Sequence, residues 1–269
     1  MPLNSRDIQR CVDMGGGLSG RVSMLIFAIL APSSDEDGKF WRRAFRKLMP
    51  NMRIKPAPLN GFGLSINPLN WSQTVIFEEI FLRNGYDFRK VPFTPEKIID
   101  CGAHIGLFSL SAISYYASAK ITAFEPNPKN WEYLNRHVKM NKLNIEIIKA
   151  AVSTEAGQMS FCGTNSNSGR LNHGSTIRDG SEVEVVDFPE FVRKLKLTSL
   201  LLKMDIEGEE LKLLPALVQY LPNQSAIFFE THSGESGWSQ ISDLLKANEF
   251  HVEQLNARGD FYDGFARRG

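Results

Sequence analysis

Asp100-Cys101-Gly102-Ala103-His104-Ile105-Gly106 is the stretch that decides the fold. It follows a short apolar strand at residues 97–100 and opens a helix predicted over 106–117. Open α/β sheets bind ligands at such strand-to-helix turns, at the point where strand order reverses. Gly102 lets the backbone turn sharply and approach a ligand. Gly106 permits close approach of helix and strand. The spacing is G-x-x-x-G and not G-x-G-x-x-G, so the loop that cradles a pyrophosphate is missing. Asp100, Ala103 and His104 share this turn and are candidate ligand contacts with the two glycines.

One βαβ unit later the next strand, 121–125, ends in Glu125-Pro126-Asn127-Pro128. A carboxylate there accepts both ribose hydroxyls of an adenosine-type ligand. An ordinary solvent-facing strand end is the plainer alternative. Pro126 and Pro128 stiffen the loop, with Asn127 between them, and start the helix at 129–140. A third strand, 145–152, closes on Ala150-Ala151-Val152-Ser153. Small apolar Ala151 and Val152 would wall an adenine, and core packing explains them nearly as well.

Further strands are expected at 201–205 and 226–230, with helices over 209–220 and 238–248. Strands separated by helix-length segments imply parallel pairing with helices on both faces. The last two strands, 251–255 and 261–265, are close enough for an antiparallel hairpin at the sheet edge. The polar stretch 162–175 reads as a loop, either a mobile lid or plain coil.

Lys203-Met204-Asp205-Ile206-Glu207-Gly208-Glu209-Glu210 puts five charges around one strand end. That is costly unless they are solvated, paired or used. Alternation sets Asp205 and Glu207 on one side of the exit. Glu209 and Glu210 suit a helix N-terminus and are read as structural. His232, in Glu230-Thr231-His232, falls on the same edge. An imidazole near its ordinary pKa suits proton removal from an alcohol, with Glu230 or Asp205 orienting it. A lone histidine is more often a packed or capping group. Asp205, Glu207 and His232 are the catalytic candidates. The same set would alternatively hold a divalent metal that binds the substrate, although hard cations ask for more oxygen ligands than the sequence places there. No metal is assigned.

The 269 residues carry 42% hydrophobic and 23% charged side chains, enough for a real core, and a net charge of +1 gives no global drive to nucleic acid or membrane. Cys11, Cys101 and Cys162 fit neither a zinc pattern nor a disulfide framework, so a reducing, cytoplasmic setting is expected. Residues 1–60 form an N-terminal extension, partly helical and basic, and 61–269 the main domain. The apolar run 22–31 is too short to span a bilayer and reads as a buried or docking helix. Between 39 and 55 every charge is positive, with aromatics interleaved, as in a basic amphipathic helix ended by Pro50. A helix is expected over 71–84, stopped by Gly85.

D-C-G-A-H-I-G-L-F-S at 100–109, A-F-E-P-N-P at 123–128, A-A-V-S at 150–153, V-D-F-P-E-F-V at 186–192, L-K-M-D-I-E-G-E-E at 202–210 and E-T-H at 230–232 together resemble the FkbM-type methyltransferases, which use S-adenosylmethionine. The K-M-D-I-E-G-E-E segment is the most specific. Histidine is a common residue at position 104 in such proteins, whereas Cys101 stands where an aliphatic residue is usual. The resemblance covers residues 97–256. It implies a class I, Rossmann-like, seven-stranded α/β sheet and methylation of a hydroxyl on a small molecule or glycan. It implies that Gly102, Gly106 and Glu125 hold the cofactor, with Asp100 and His104 at its methionine end. The alternatives are a nucleic-acid methyltransferase using the basic 39–55 patch and a nicotinamide-dependent oxidoreductase, against which the missing G-x-G-x-x-G counts. A non-catalytic relative is a further reading, disfavoured by the intact acidic positions.

Overall fold

Two apolar runs, Ile98-Ile99 and Ser199–Met204, lie side by side at the centre of the molecule's main sheet. The computed structural model describes residues 5–15, 17–30, 52–54, 56, 59–67, 70–163, 169–172 and 181–269. Its elements, in chain order, are α1 (Ser5–Asp13), α2 (Gly17–Leu30), β1 (Met52–Ile54), β2 (Leu64–Ile66), α3 (Trp71–Phe77), β3 (Lys97–Cys101), α4 (Leu107–Tyr115), β4 (Lys120–Phe124), α5 (Pro128–Asn141), β5 (Ile145–Ile148), β6 (Ala150–Ser153), β7 (Gly157–Gly163), β8 (Gly169–Asn172), β9 (Ser181–Asp187), α6 (Phe188–Leu195), β10 (Ser199–Met204), α7 (Glu210–Leu217), β11 (Gln224–Thr231), α8 (Gly234–Ala247), β12 (His251–Arg258) and β13 (Phe261–Arg268).

The main sheet has seven strands in the order β12-β13-β11-β10-β3-β4-β5. β3, β4, β5, β10 and β11 are parallel, and β13 pairs antiparallel with β11 and β12. This is the class I, Rossmann-like arrangement, with the expected hairpin at its edge. The chain fills the sheet from β3 outward to β5, then returns to β10 on the other side of β3. The strand order reverses there, which opens the crevice in which such sheets bind ligands.

The chain divides into two compact units. One comprises 87–104, 116–131 and 144–269, and holds both the seven-stranded sheet and a four-stranded sheet, β6-β9-β7-β8. Alternate residues of the parallel strands (Ile99, Cys101, Leu200, Leu202, Met204, Ile227 and Phe229) pack with Phe188, Leu213, Leu214, Leu217, Ile241 and Leu245 of α6, α7 and α8. This period-two stripe makes one face of the sheet the unit's core. α6 starts where Asp187 caps it, its side chain accepting from the Glu190 N–H, and Pro189 occupies the first turn.

The other unit comprises 1–86, 105–115 and 132–143. α1 and α2 pack together, with Cys11, Met24 and Phe27 buried. Val22 and Leu25 of α2 are exposed. Phe27 meets Phe77 edge-on at 4.6 Å. His137 is buried between the Ile105 carbonyl, 2.7 Å from Nδ1, and the backbone of Ser65. Among the described residues no helix is long and apolar enough to cross a membrane.

Four expectations are corrected. The strand expected over 145–152 is two strands: β5 ends at Ile148, and β6 pairs with β9 in the smaller sheet. The sequence pattern cannot reveal such a change of sheet, because Ile145, Ile147, Ile148 and Ala150–Val152 are all buried or half-buried on either side of the break. The stretch 162–175 is not simply loop: Gly163 and Gly169 begin a β7–β8 pairing, and 164–168 and 173–175 lie outside the described residues. The helix expected over 71–84 is α only to Phe77, and a wider π turn carries it to Leu82. α8 begins at Gly234, four residues before the helix expected at 238–248. The basic helix expected across 39–50 lies outside the described residues.

Candidate active site at the carboxyl rim of the sheet

Register puts the candidate residues in one row. Cys101 is level with Met204 and Phe124, and Met204 with Phe229. The next residue on each strand is therefore Gly102, Asp205, Glu125 and Glu230, all at one rim. Backbone bonds lock the row: the N–H of Gly102 donates to the Phe124 carbonyl at 3.1 Å, and that of Asp205 to the Cys101 carbonyl at 3.2 Å.

Gly102 has φ +80, and a Cβ there would stand 1.9 Å from the Asp205 carbonyl oxygen. Only glycine fits a left-handed turn against another backbone. His104 also has positive φ, +52, and its N–H donates to Glu125 Oε2 at 2.6 Å. Burial, reinforced by nearby Lys203, lowers the His104 pKa to about 4, so its ring is neutral. Gly106 acts differently from expectation. Its absent side chain leaves room for Leu134 of α5, whose Cδ1 would lie 2.3 Å from a Cβ, so it serves helix-to-helix approach.

Glu125 is 4% exposed, which excludes the solvent-facing strand end. Oε1 accepts from the Asn127 N–H at 2.7 Å and the Asn130 amide at 3.2 Å, while Oε2 takes the His104 N–H. The carboxylate thus ties the glycine turn to the loop before α5. Pro126 stands in that loop, and Asn127 caps α5 by accepting from the Lys129 N–H at 3.0 Å. Burial pushes the Glu125 carboxyl up to about 7 against these donors. Ala151 and Val152 have their side chains in two apolar clusters, Ala151 with Phe161, Val183 and Val185, and Val152 with Phe124 and Phe188.

Lys203 was not singled out by sequence reasoning, yet its buried ammonium donates to the Gly102 carbonyl at 2.6 Å. Nζ also lies 3.7 Å from Asp100 Oδ1 and 3.5 Å from Asp205 Oδ2. Asp100 is fully buried and level with Lys203 in the register. One cation therefore positions the turn and both aspartates. A lysine inside an otherwise apolar central strand was the available signal.

His232 is the hub of the acidic side. Nε2 lies 3.3 Å from Glu207 Oε2, 3.8 Å from Asp205 Oδ1 and 3.9 Å from Glu230 Oε1. Nδ1 lies 3.3 Å from Glu210 Oε1. Burial alone would lower the imidazole pKa. Glu210, then Asp205 and Glu207, outweigh burial and raise it to about 9. The surrounding carboxylates favour the protonated imidazole, which weighs against His232 as the base at neutral pH. Glu210 is more than a charge at a helix end. It is 1% exposed and accepts from the Ile206 and Gly208 N–H groups, both at 2.9 Å. It thereby shapes the turn that holds Glu207 at φ +59. Glu209 keeps a structural part, accepting from the Ser153 hydroxyl at 2.8 Å.

An aromatic group flanks this hub. Phe261, 42% exposed, meets the His232 ring edge-on at 5.3 Å. Trp238 stacks between Phe229 and Tyr262 at 5.7 and 6.1 Å.

Residues 100–255 match the model of the methyltransferase FkbM domain, more than half of the chain. The chain belongs to the FkbM methyltransferase family. FkbM of Streptomyces tacrolimicus, a 31-O-demethyl-FK506 methyltransferase, is 25% identical over 72% of this chain and 89% of its own length. Methyltransferase 1 of Beauveria bassiana is 28% identical over 69% of this chain and 75% of its own. Methyltransferase sdnD of Sordaria araneosa is 38% identical, over 31% of this chain and 33% of that protein. Among solved structures, TYW2 of M. jannaschii in complex with AdoMet aligns over 81% of this chain with 18% identity and a TM-score of 0.45. As an FkbM member the chain is a methyltransferase, and its rim residues are to be read in that light.

Proposed function

We propose that the protein transfers a methyl group from S-adenosylmethionine to a hydroxyl of a small molecule or glycan. The observation that carries this is the row Glu125, Gly102, Asp205 at the switch point, with the glycine turn bonded on one side to the strand that ends in Glu125 and on the other to Asp205. The residues fit the cofactor. A backbone that no side chain can enter at Gly102 suits close approach of a ligand. The buried Glu125 carboxylate has acceptor capacity beyond its three donors for the ribose. The neutral His104 adds no charge to repel a cation.

When bound, S-adenosylmethionine supplies a methyl group on a positively charged sulfur. Asp100, Ala103 and His104 would border its methionine end, with Pro126, Asn127, Ala151 and Val152 on the adenosine side. Methyl transfer is an in-line displacement, so the acceptor oxygen must be held opposite the sulfur. Asp205 and Glu207 face that region as carboxylates able to take the hydroxyl proton. His232 stands between those carboxylates and helps to keep them in place. Exposed Phe261 beside it offers an apolar wall for the acceptor. The S. tacrolimicus relative, named for an O-demethyl substrate, supports oxygen as the receiving atom.

The test is transfer of labelled methyl from S-adenosylmethionine to a panel of hydroxyl, amine and nucleic-acid acceptors, with calorimetric titration of S-adenosylmethionine and NADH. Tight S-adenosylmethionine binding with label on oxygen is expected. His232→Ala should lower turnover while leaving cofactor affinity intact. Binding of NADH in its place, or label only on nitrogen, would refute the reading.

A further inference from the structure

We propose that Asp205, Glu207 and His232 form a binding site for one divalent first-row transition ion, of the Mn²⁺ or Zn²⁺ class. Among the described residues these three each present a ligand atom, and the three atoms lie within 4.8 Å of one another. Nitrogen and oxygen ligands about 2.0–2.2 Å from such an ion stand roughly 3.0–3.5 Å apart. Nε2 of His232 is 3.3 Å from Glu207 Oε2 and 3.8 Å from Asp205 Oδ1, and an ion would also draw the ligand atoms together from a spread of up to 4.8 Å.

The second observation is what stands behind the imidazole. Its side chain is 3% exposed, with Nε2 aimed into the carboxylates and Nδ1 facing Glu210. A metal-bound histidine almost always gives its other ring N–H to a carboxylate or carbonyl, which fixes the ring and its tautomer. Glu210 Oε1 is 3.3 Å from Nδ1, near enough for that task although the two are not in hydrogen-bond geometry, and it is itself fixed by two backbone N–H groups. Those groups belong to the turn that carries Glu207, so one buried carboxylate orients two of the three ligands.

One imidazole with two carboxylates is a mixed donor set. It suits Mn²⁺, Fe²⁺ or Zn²⁺ better than Mg²⁺ or Ca²⁺, which prefer oxygen throughout. Three protein ligands leave positions open, as in catalytic sites. An ion there would draw an acceptor oxygen to the reacting rim and make its proton easier to lose. That role rests on the methyl-transfer reading; the site itself does not.

Chelator-treated protein is titrated with Mn²⁺, followed by electron paramagnetic resonance, and with Co²⁺, followed by visible ligand-field absorption. S-adenosylmethionine affinity is measured on the same samples by calorimetry. One ion per chain is expected, with imidazole in its coordination shell. Asp205→Asn and Glu207→Gln should each weaken Mn²⁺ binding at least about tenfold, and Glu210→Gln by roughly 10–100-fold. Asp243→Asn, at an exposed position of α8, should leave it unchanged. The Co²⁺ spectrum of the unsubstituted protein needs no variant to fold. Folded protein that takes up neither ion, or variants that bind Mn²⁺ as the unsubstituted chain does, would show the histidine to be only an imidazolium counter-charge and overturn the proposal. An ion bound by a chain without affinity for S-adenosylmethionine would uphold the site and refute the methyl-donor reading.

Discussion

Gly102 and Asp205 touch through their backbones: a methyl group on the glycine would stand 1.9 Å from the aspartate's carbonyl oxygen. The ligand turn and the acidic strand end are thus one construction, and a change in either is felt by both. Lys203 reinforces the contact by bonding the Gly102 carbonyl from the neighbouring strand.

Gly102→Ala should therefore cost at least about 2 kcal/mol of stability, since it combines a left-handed alanine with a clash against backbone that cannot turn aside. Cofactor affinity should fall by about tenfold or more with it. Denaturant melts and calorimetry check both. Gly157→Ala, where nothing lies within 4 Å, is the control and should be near neutral.

Glu125 makes a paired prediction about pH. Its folded carboxyl keeps a proton up to about pH 7, whereas an unfolded glutamate loses it near 4.5. The folded state binds the extra proton between those values, so this group's contribution to stability is lost as pH rises through about 7. The ligand-free protein should lose melting temperature across that window relative to Glu125→Gln. Cofactor affinity should move the other way, because ribose hydroxyls donate best to the ionised carboxylate. About tenfold tighter binding at pH 8 than at pH 6 is expected from the ionised fraction alone. A pH-independent affinity in calorimetry would exclude this carboxylate from ribose binding.

Phe261 is half-exposed beside the buried His232 ring. If it lines the acceptor, Phe261→Ala should raise the acceptor KM between about two- and tenfold, the worth of one aromatic contact, with kcat little changed. Steady-state kinetics with a saturating donor separates the two. A fall in kcat with unchanged KM would instead assign the ring to holding His232.

The strand–turn–helix rhythm from residue 97 onward was legible because glycine turns, apolar strands and helix starts are local signals. The edge hairpin at 251–268 was legible for the same reason, since its short connection permits only antiparallel pairing. Asp205, Glu207 and His232 could be named as a group because a ligand edge collects the ends of parallel strands. Other features depend on partners distant in sequence. The break between Ile148 and Ala150 follows from β6 finding β9, some thirty residues on. The upward pull on the His232 pKa follows from Glu210, whose carboxylate turns inward to cap the Ile206–Gly208 turn in place of facing solvent. Sequence alone fixed which residues reach the rim, because that is set by period and punctuation along the chain. Only the tertiary structure decided their protonation, because a pKa depends on burial and on neighbours that the chain brings together by folding.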